Sequence, residues 1–504
     1  RGARGGKRAR FDNRSDWPAA AGENKFLGFT LYKENRDTMD AVGQIARALH
    51  LPPSIFTYAG TKDRRACTTQ RVSAFRVPEA RLAGLMSRNP FGDSLRVGDF
   101  AYEPSPLRLG MLAGNRFSIT LRDLDADEPT VEAAVHALGD RGFPNFFGLQ
   151  RFGSNVDAAT HRIGAAMLRS DFKEVLNLIL APRQQDKPEE RAARDIFFST
   201  RDANEALKVM PRRMSAERSL LEGLRDFGSS NVLAALSRLP KTLRSMYLHA
   251  YQSYLWNHAA SRRISLHGCE YAVEGDLVLP PSVADAAVSS SEVFDGVEAD
   301  AAEGHPVIEA EAEAGAGESA GAAGESGGYS AAWVEPLVVS KAAAEARTHS
   351  IRDVVLPLAG YRVSLPKNAV ADVYTSLLEQ DSLSIGSFDH HIKELALPGA
   401  YRRLIQHPLD LQWRTMRYSD PTKPLAHTDL ARLKGEPAPQ SEPDGDRLAL
   451  VLHFTLPPST YATMLLRELT KQSTELTHQL ELNKEAKLYE KSEPLAPTAA
   501  PIAS

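Results

Sequence analysis

Cysteine is nearly absent. The 504 residues hold only Cys67 and Cys269, with no Cys-x-x-Cys pair, which excludes a disulfide framework and points to a reducing compartment. No apolar run approaches the ~18 residues that a membrane span needs. The basic start, Arg1 to Arg10, has no apolar stretch behind it and does not read as a signal peptide. Also missing are Gly-x-x-x-x-Gly-Lys-Ser/Thr, Gly-x-Gly-x-x-Gly after a strand, Gly-x-Ser-x-Gly and His-Glu-x-x-His. Nucleotide-cofactor, serine-hydrolase and zinc chemistries lose their support with them. His390-His391 is the one adjacent histidine pair and reads as a surface loop rather than a metal site. Any chemistry is expected to run on protein side chains alone, with no cofactor and no metal.

Charge of one sign is scarce where it matters. The net charge of −4 argues against a nucleic-acid binder. Residues 285–335, however, carry 12 acids and no Lys or Arg, so the rest of the chain holds +8. A moderately basic body permits binding to a polyanion, because each neutralised phosphate releases counterions. A merely solvated surface fits the same number.

At ~150 residues per domain the length corresponds to about three domains' worth of chain. A 42% hydrophobic, 25% charged composition is that of a soluble globular protein. Residues 1–23 read as a disordered basic tail whose Arg-Gly content suits weak RNA contact or nuclear import. Residues 283–332 are rich in Ala, Gly, Glu and Ser and cannot bury enough surface to offset chain entropy, so they read as a disordered acidic insertion. Residues 479–504 read as a polar tail.

Between these lies mixed structure. Leu27, Phe29 and Leu31 alternate along a strand over 26–32, and Asp37-Thr38 caps a helix with Met39, Val42, Ile45, Ala46 and Leu49 on one stripe. Strands are expected over 54–58, 69–75, 116–122 and 447–456, the last with Leu448, Leu450, Leu452 and Phe454 on one face. Val131, Ala134, Val135 and Leu138 make a helical stripe. From Phe143 to Arg263 the pattern is helical, over 158–181, 215–227 and 240–265, and a final helix starts at Pro457–Thr460 and runs through Lys471.

One segment carries chemistry. In Phe56-Thr-Tyr-Ala-Gly-Thr-Lys-Asp-Arg-Arg-Ala-Cys-Thr-Thr-Gln70 a strand runs into Gly60, and Asp63 then stands among Lys62, Arg64 and Arg65. A carboxylate in a cationic field suits a nucleophile or base acting on a polyanion. An extended backbone would place Thr61 and Arg65 on the side of Asp63, with Lys62 and Arg64 opposite. A solvated charged turn is the alternative reading.

Ala59-Gly-Thr-Lys-Asp-Arg-Arg-Ala66 with Thr68-Thr-Gln70 resembles the TruD family of pseudouridine synthases. Further motifs follow in the family's order: Lys33-Glu-Asn-Arg-Asp-Thr38, Gly114-Asn-Arg-Phe117, Asn145-Phe-Phe-Gly-Leu-Gln-Arg-Phe-Gly153, Tyr251-Gln-Ser-Tyr-Leu-Trp-Asn257, Leu356-Pro-Leu-Ala-Gly-Tyr361, Gly399-Ala-Tyr-Arg402 and Pro457-Pro-Ser-Thr-Tyr-Ala-Thr463. The resemblance spans roughly residues 24–475, and its longer loops are similar to the eukaryotic, multi-substrate branch acting on tRNA, small nuclear RNA and messenger RNA.

The resemblance implies cofactor-free isomerisation of uridine to pseudouridine in RNA, with Asp63 as the catalytic aspartate. Asn115, Phe117 and Phe454 match residues shaping the pocket for a flipped base, which a Phe ring can stack on. Residues on these strands also read as core (Phe117, Phe454) or as a turn residue (Asn115). Lys33, Lys62, Arg64 and Arg65 are candidate RNA-backbone contacts, with a solvated Lys33 as the alternative. Gln150 and Arg151 contact RNA or bridge domains. Cys67 reads as small packing, and Tyr251 and Trp256 as core rather than stacking platforms.

The implied fold is α/β (α+β): a pseudouridine-synthase core with a mainly antiparallel, curved sheet, plus an inserted, largely helical TRUD domain, with RNA in a cleft between the lobes. The core is expected from 24–142 and 399–478, with the insertion over 143–398. The family's basic, Phe-containing segment upstream of the first strand is not found in 1–23, a departure expected of a fragment or a less active enzyme. A monomer in the nucleus or cytoplasm is expected, with RNA as partner. A non-catalytic RNA-binding or chaperone protein that retains the cleft is the competing expectation.

Overall fold

A computed structural model describes residues 17–153, 159–183, 186–280 and 335–474. The two tails, apart from 17–23, and the acidic insertion read from the sequence lie outside the described residues. The strands are β1 (Phe26–Glu34), β2 (Phe56–Tyr58), β3 (Cys67–Phe75), β4 (Leu95–Glu103), β5 (Asn115–Leu121), β6 (Phe143–Pro144), β7 (Leu277–Val278), β8 (Leu337–Val338), β9 (Val354–Leu358), β10 (Ala400–Arg403), β11 (Ile405–Gln406), β12 (Leu409–Tyr418) and β13 (Arg447–Leu456).

The chain divides into two compact units, each drawn from separate stretches of sequence. Among the described residues the first comprises 17–127 and 410–458, the second 128–280, 335–409 and 459–474.

The first unit holds two sheets, ordered β2-β3-β1-β4 and β12-β13-β5. Every pairing with a defined register in them is antiparallel. Leu27, Phe29 and Leu31 are fully buried, as their alternation predicts, against Val42, Ile45 and Ala46 of the helix Thr38–Ala48. Asp37 caps that helix by accepting from the Met39 amide at 2.7 Å. β13 is central in its sheet, so both its edges are paired, and residues on both its faces are buried. Leu450, Leu452 and Phe454 are buried, and Ala449 and Val451 pack on Met416, Tyr418 and Leu425.

The second unit is mostly helical. The region expected as one helix over 158–181 is two, Thr160–Leu168 and Phe172–Leu180, because the chain turns at Ser170 (φ 59°) and Asp171 caps the second. The helix Lys241–His267 has 27 residues and is buried nearly all round at its middle, where Ala250 to Ser253 are all covered. A four-stranded sheet of order β10-β9-β7-β8 packs in the same unit. His390 does not lie on an open surface loop as expected. It is buried, accepts from the Ile392 amide at 3.0 Å and bonds Ser170 Oγ at 2.9 Å.

Candidate active site

The segment after β2 is not extended. Thr61 to Ala66 form a bent loop, so the alternation expected of a strand does not apply, and Asp63, Arg64 and Arg65 are exposed together. The loop is held from below by buried polar groups. The Lys62 amide donates to Thr38 Oγ1 at 3.0 Å, Thr38 donates to Gln70 Oε1 at 2.9 Å, and Gln70 Nε2 donates to the Gly60 carbonyl at 2.8 Å.

Lys33 completes this floor, and its position corrects the expectation of a phosphate contact or a solvated side chain. It is 0% exposed, and its ammonium donates to the carbonyls of Arg36, Lys62 and Asp63 at 2.7, 3.0 and 2.8 Å. Burial pushes its pKa below the ordinary lysine value, while Asp37 and Asp63 oppose that shift. Three carbonyls use all three ammonium donors, so none is left for RNA.

The carboxylate of Asp63 and the guanidinium groups of Arg64 and Arg65 make no hydrogen bond or ion pair among the described residues. Lys62 is half-buried, with Nζ only 3.4 Å from its neighbour's carbonyl. Cys67 is exposed rather than packed; its sulfur meets the Tyr32 hydroxyl, and partial desolvation on that side pushes the thiol up, away from a thiolate nucleophile.

On the second sheet of this unit, β5 and β13 pair so that Phe117 faces Phe454 and Asn115 faces Leu456. The two Phe rings stack at 5.4 Å and 25°. Phe454 is 1% exposed, whereas Phe117 and Asn115 are half-buried. Phe454 therefore acts as a floor under Phe117. The glycine of the Gly114-Asn-Arg-Phe motif has a steric cause: a Cβ there would lie 2.4 Å from the Leu456 carbonyl oxygen.

In the second unit the remaining motifs knot together around Arg402, which is fully buried. Its Nε donates to the Asn145 carbonyl at 2.9 Å, Nη2 to Asn145 Oδ1 at 2.8 Å and Nη1 to the Ser459 carbonyl at 2.9 Å. Its guanidinium lies 4.1 Å from the centre of the Phe147 ring. Phe147 and Asn257 exchange two hydrogen bonds, and Trp256 Nε1 donates to the Leu356 carbonyl. Tyr251 and Trp256 are 0% exposed and belong to this core.

Gln150 is exposed. Arg151 lies over Phe147 at 5.3 Å, and its Nε and Nη1 are shielded without a hydrogen-bond partner. A shielded guanidinium with unspent donors is costly unless a ligand supplies acceptors. Charge spacing alone reveals neither this feature nor the role of Thr38 and Gln70, whose local pattern shows only a helix start and a strand residue.

The mixed α/β fold with antiparallel sheets has a counterpart among solved structures. The crystal structure described as that of the "Putative tRNA pseudouridine synthase D (TruD)" from Methanosarcina mazei aligns with a TM-score of 0.58 over 89% of each chain, at 24% identity. Residues 10–312 and 332–469 match the family described as tRNA pseudouridine synthase D (TruD), and the chain belongs to that family. It is 39% identical to multisubstrate pseudouridine synthase 7 of Schizosaccharomyces pombe over 93% of this chain and 65% of that protein. It is 36% identical to the mouse pseudouridylate synthase 7 homolog over 95% of this chain. The chain spans 64% of the length of that mouse relative.

Proposed function

We propose that this chain isomerises uridine to pseudouridine in RNA, with Asp63 as the residue that acts on the target nucleotide. The N1–C1′ glycosidic bond breaks, the uracil rotates, and C5 bonds to C1′. The proton lost from C5 is balanced by one gained at N1, so no cofactor or outside reductant enters. The observation that carries this reading is an exposed, unpartnered carboxylate on a loop clamped from beneath by Lys33, Thr38 and Gln70. A rigid support with a free charged group at its tip is how a site holds a reacting atom in place. Arg64 and Arg65 supply unspent cations for phosphate, and Phe117 supplies a ring for the base.

Transfer RNA is the first substrate proposed, since the family is described by it. Other RNAs are proposed from the name of the multisubstrate relative. A monomer acting in the nucleus or cytoplasm is part of the same proposal. It is supported by two unpaired cysteines, which suit a reducing compartment.

The test is to map pseudouridine in tRNA and other transcripts incubated with the chain and with Asp63→Ala. Site-specific product from the parent and none from the variant supports the reading. RNA binding with no product from the parent would assign the chain to non-catalytic binding instead.

A further inference from the structure

Between β4 and β5 a turn leaves two large apolar side chains half exposed, with Met111 Sδ accepting from the Arg108 amide at 3.3 Å. Leu109 is 50% exposed and Met111 is 49% exposed. Covering the exposed half of either would be favourable, and the fold forgoes it. The turn is nonetheless ordered by its own bonds. The Met111 amide donates to the Arg108 carbonyl at 3.1 Å, the Leu112 amide to the Gly110 carbonyl at 2.9 Å, and the Leu107 amide to Ser73 Oγ at 3.1 Å. Gly110, at φ 87°, lets the backbone reverse between the two apolar residues.

Two attachments fix where this knuckle sits. The Gly110 amide donates to the Ala59 carbonyl at 2.8 Å, on the segment that leads to Asp63. On its other side the chain runs through Gly114 directly into Asn115 and Phe117. The knuckle thus joins the loop of the proposed catalytic carboxylate to the strand of the proposed base-stacking ring. It is flanked by exposed cations, Arg108 and Arg116 beside it in sequence and Arg64 and Arg65 beyond Asp63. An apolar tip with exposed arginines beside it in sequence is complementary to RNA, whose charged backbone surrounds an apolar stack of bases.

We propose that Leu109 and Met111 form a wedge that enters the base stack beside the target uridine and fills the place the flipped base leaves. The proposal rests on the pseudouridine-synthase reading of the site. Unstacking a base costs a few kcal/mol, and apolar side chains inserted between base steps are one way proteins offset that cost. The two residues are positioning residues. They touch the neighbours of the reacting nucleotide, not its reacting atoms.

The test uses the full chain and two RNAs with the same sequence around the target uridine, one holding it in a stem and one unstructured. The double variant Leu109→Ser/Met111→Ser is compared with the conservative Leu109→Ile/Met111→Leu. Both changes are at exposed positions, and thermal melting confirms that each folds. The serine variant should lose about tenfold more rate on the stem than on the unstructured RNA, and the conservative variant should restore the ratio. A second measurement places 2-aminopurine next to the target and is made in Asp63→Ala, so that no turnover intervenes. Its fluorescence should rise on binding, and the rise should shrink when both serines are added. Equal losses on the two RNAs, or an undiminished fluorescence rise with the serines present, overturn the wedge. If the parent converts neither RNA, the isomerase reading falls, while the fluorescence comparison still decides the wedge.

Discussion

Two clusters of charge in this protein are built on opposite principles. Around Arg263, in the second unit, charge is buried and fully satisfied. Arg263 and Asp276 are both 0% exposed and meet at 2.7 Å, the guanidinium also donates to the Gly268 and Tyr271 carbonyls, and Asp276 accepts from the Val273 amide and Asn368. Around Asp63, in the first unit, the satisfied group is Lys33 below, while the carboxylate and two arginines above it are exposed and unspent. Buried charge with every donor used fixes a fold. Charge left unsatisfied on a rigid floor is available to a ligand. Breaking each cluster should therefore damage a different property.

The largest effect is expected on turnover. Asp63→Ala should cut pseudouridine formation by roughly a thousandfold or more, ~4 kcal/mol in the barrier, while an exposed substitution moves stability by only about 0.5 kcal/mol. Quantifying product alongside urea unfolding checks both halves. Arg263→Met should do the reverse in kind, costing ~3–5 kcal/mol of stability because Asp276 is left as an uncompensated buried charge. A midpoint unchanged in urea would show that the pair is not what holds β7 to the long helix.

Lys33→Met bridges the two clusters. It strips three partly covered carbonyls of the buried ammonium that serves them, which should cost ~2–4 kcal/mol. It should also lower the rate on bound RNA more than it weakens RNA affinity, because the ammonium supports the Asp63 loop and faces no phosphate. A change confined to affinity would return Lys33 to the RNA-binding face.

A pH experiment separates buried neutral groups from exposed ones. Burial lowers the pKa of His161 and of His407 to about 4 in each case. Unfolded histidine protonates near ~6.5. As pH falls from ~6.5 toward ~4 the unfolded chain takes up protons that the folded chain refuses, so stability is full above that window and is lost within it. His161 stacks on Tyr254 at 4.3 Å with planes 1° apart, so His161→Phe keeps a ring there and should flatten the acid limb of a stability profile. The smallest effect belongs to the exposed arginines. Arg65→Ala should reduce the slope of log affinity against log salt by about 0.7 to 1, while Phe117→Ala should slow turnover and leave that slope alone. Matching slopes in the parent and Arg65→Ala would show that Arg65 contacts no phosphate.

Several elements were legible in the sequence for simple reasons. β1, β5 and β13 alternate without interruption, so their inward residues could be named, and Asp37 announces its helix. β4 was not legible because a bulge at Asp99, φ 54°, opposite Gly28–Thr30 breaks the period of two. β12 was missed because its covered positions change phase, from Leu409, Leu411 and Trp413 to Met416 and Tyr418. The single helix expected over 158–181 failed because nothing in its apolar stripe records the reversal at Ser170.

What the sequence determined by itself was the list of parts. It placed a strand ending in glycine before one carboxylate among three cations, and a set of motifs whose order resembles one enzyme family. Local pattern carries such information because strand and helix periods and charge spacing are properties of neighbouring residues. Which charge is spent and which is free was decided only by tertiary structure. Lys33 and Arg65 are both cations of a short charged stretch, yet one is buried under three carbonyls and the other is open to solvent. That difference depends on β1 and β3 pairing so that Lys33 lies across from Thr68, next to the loop it supports, a contact between residues distant in sequence that no local period encodes.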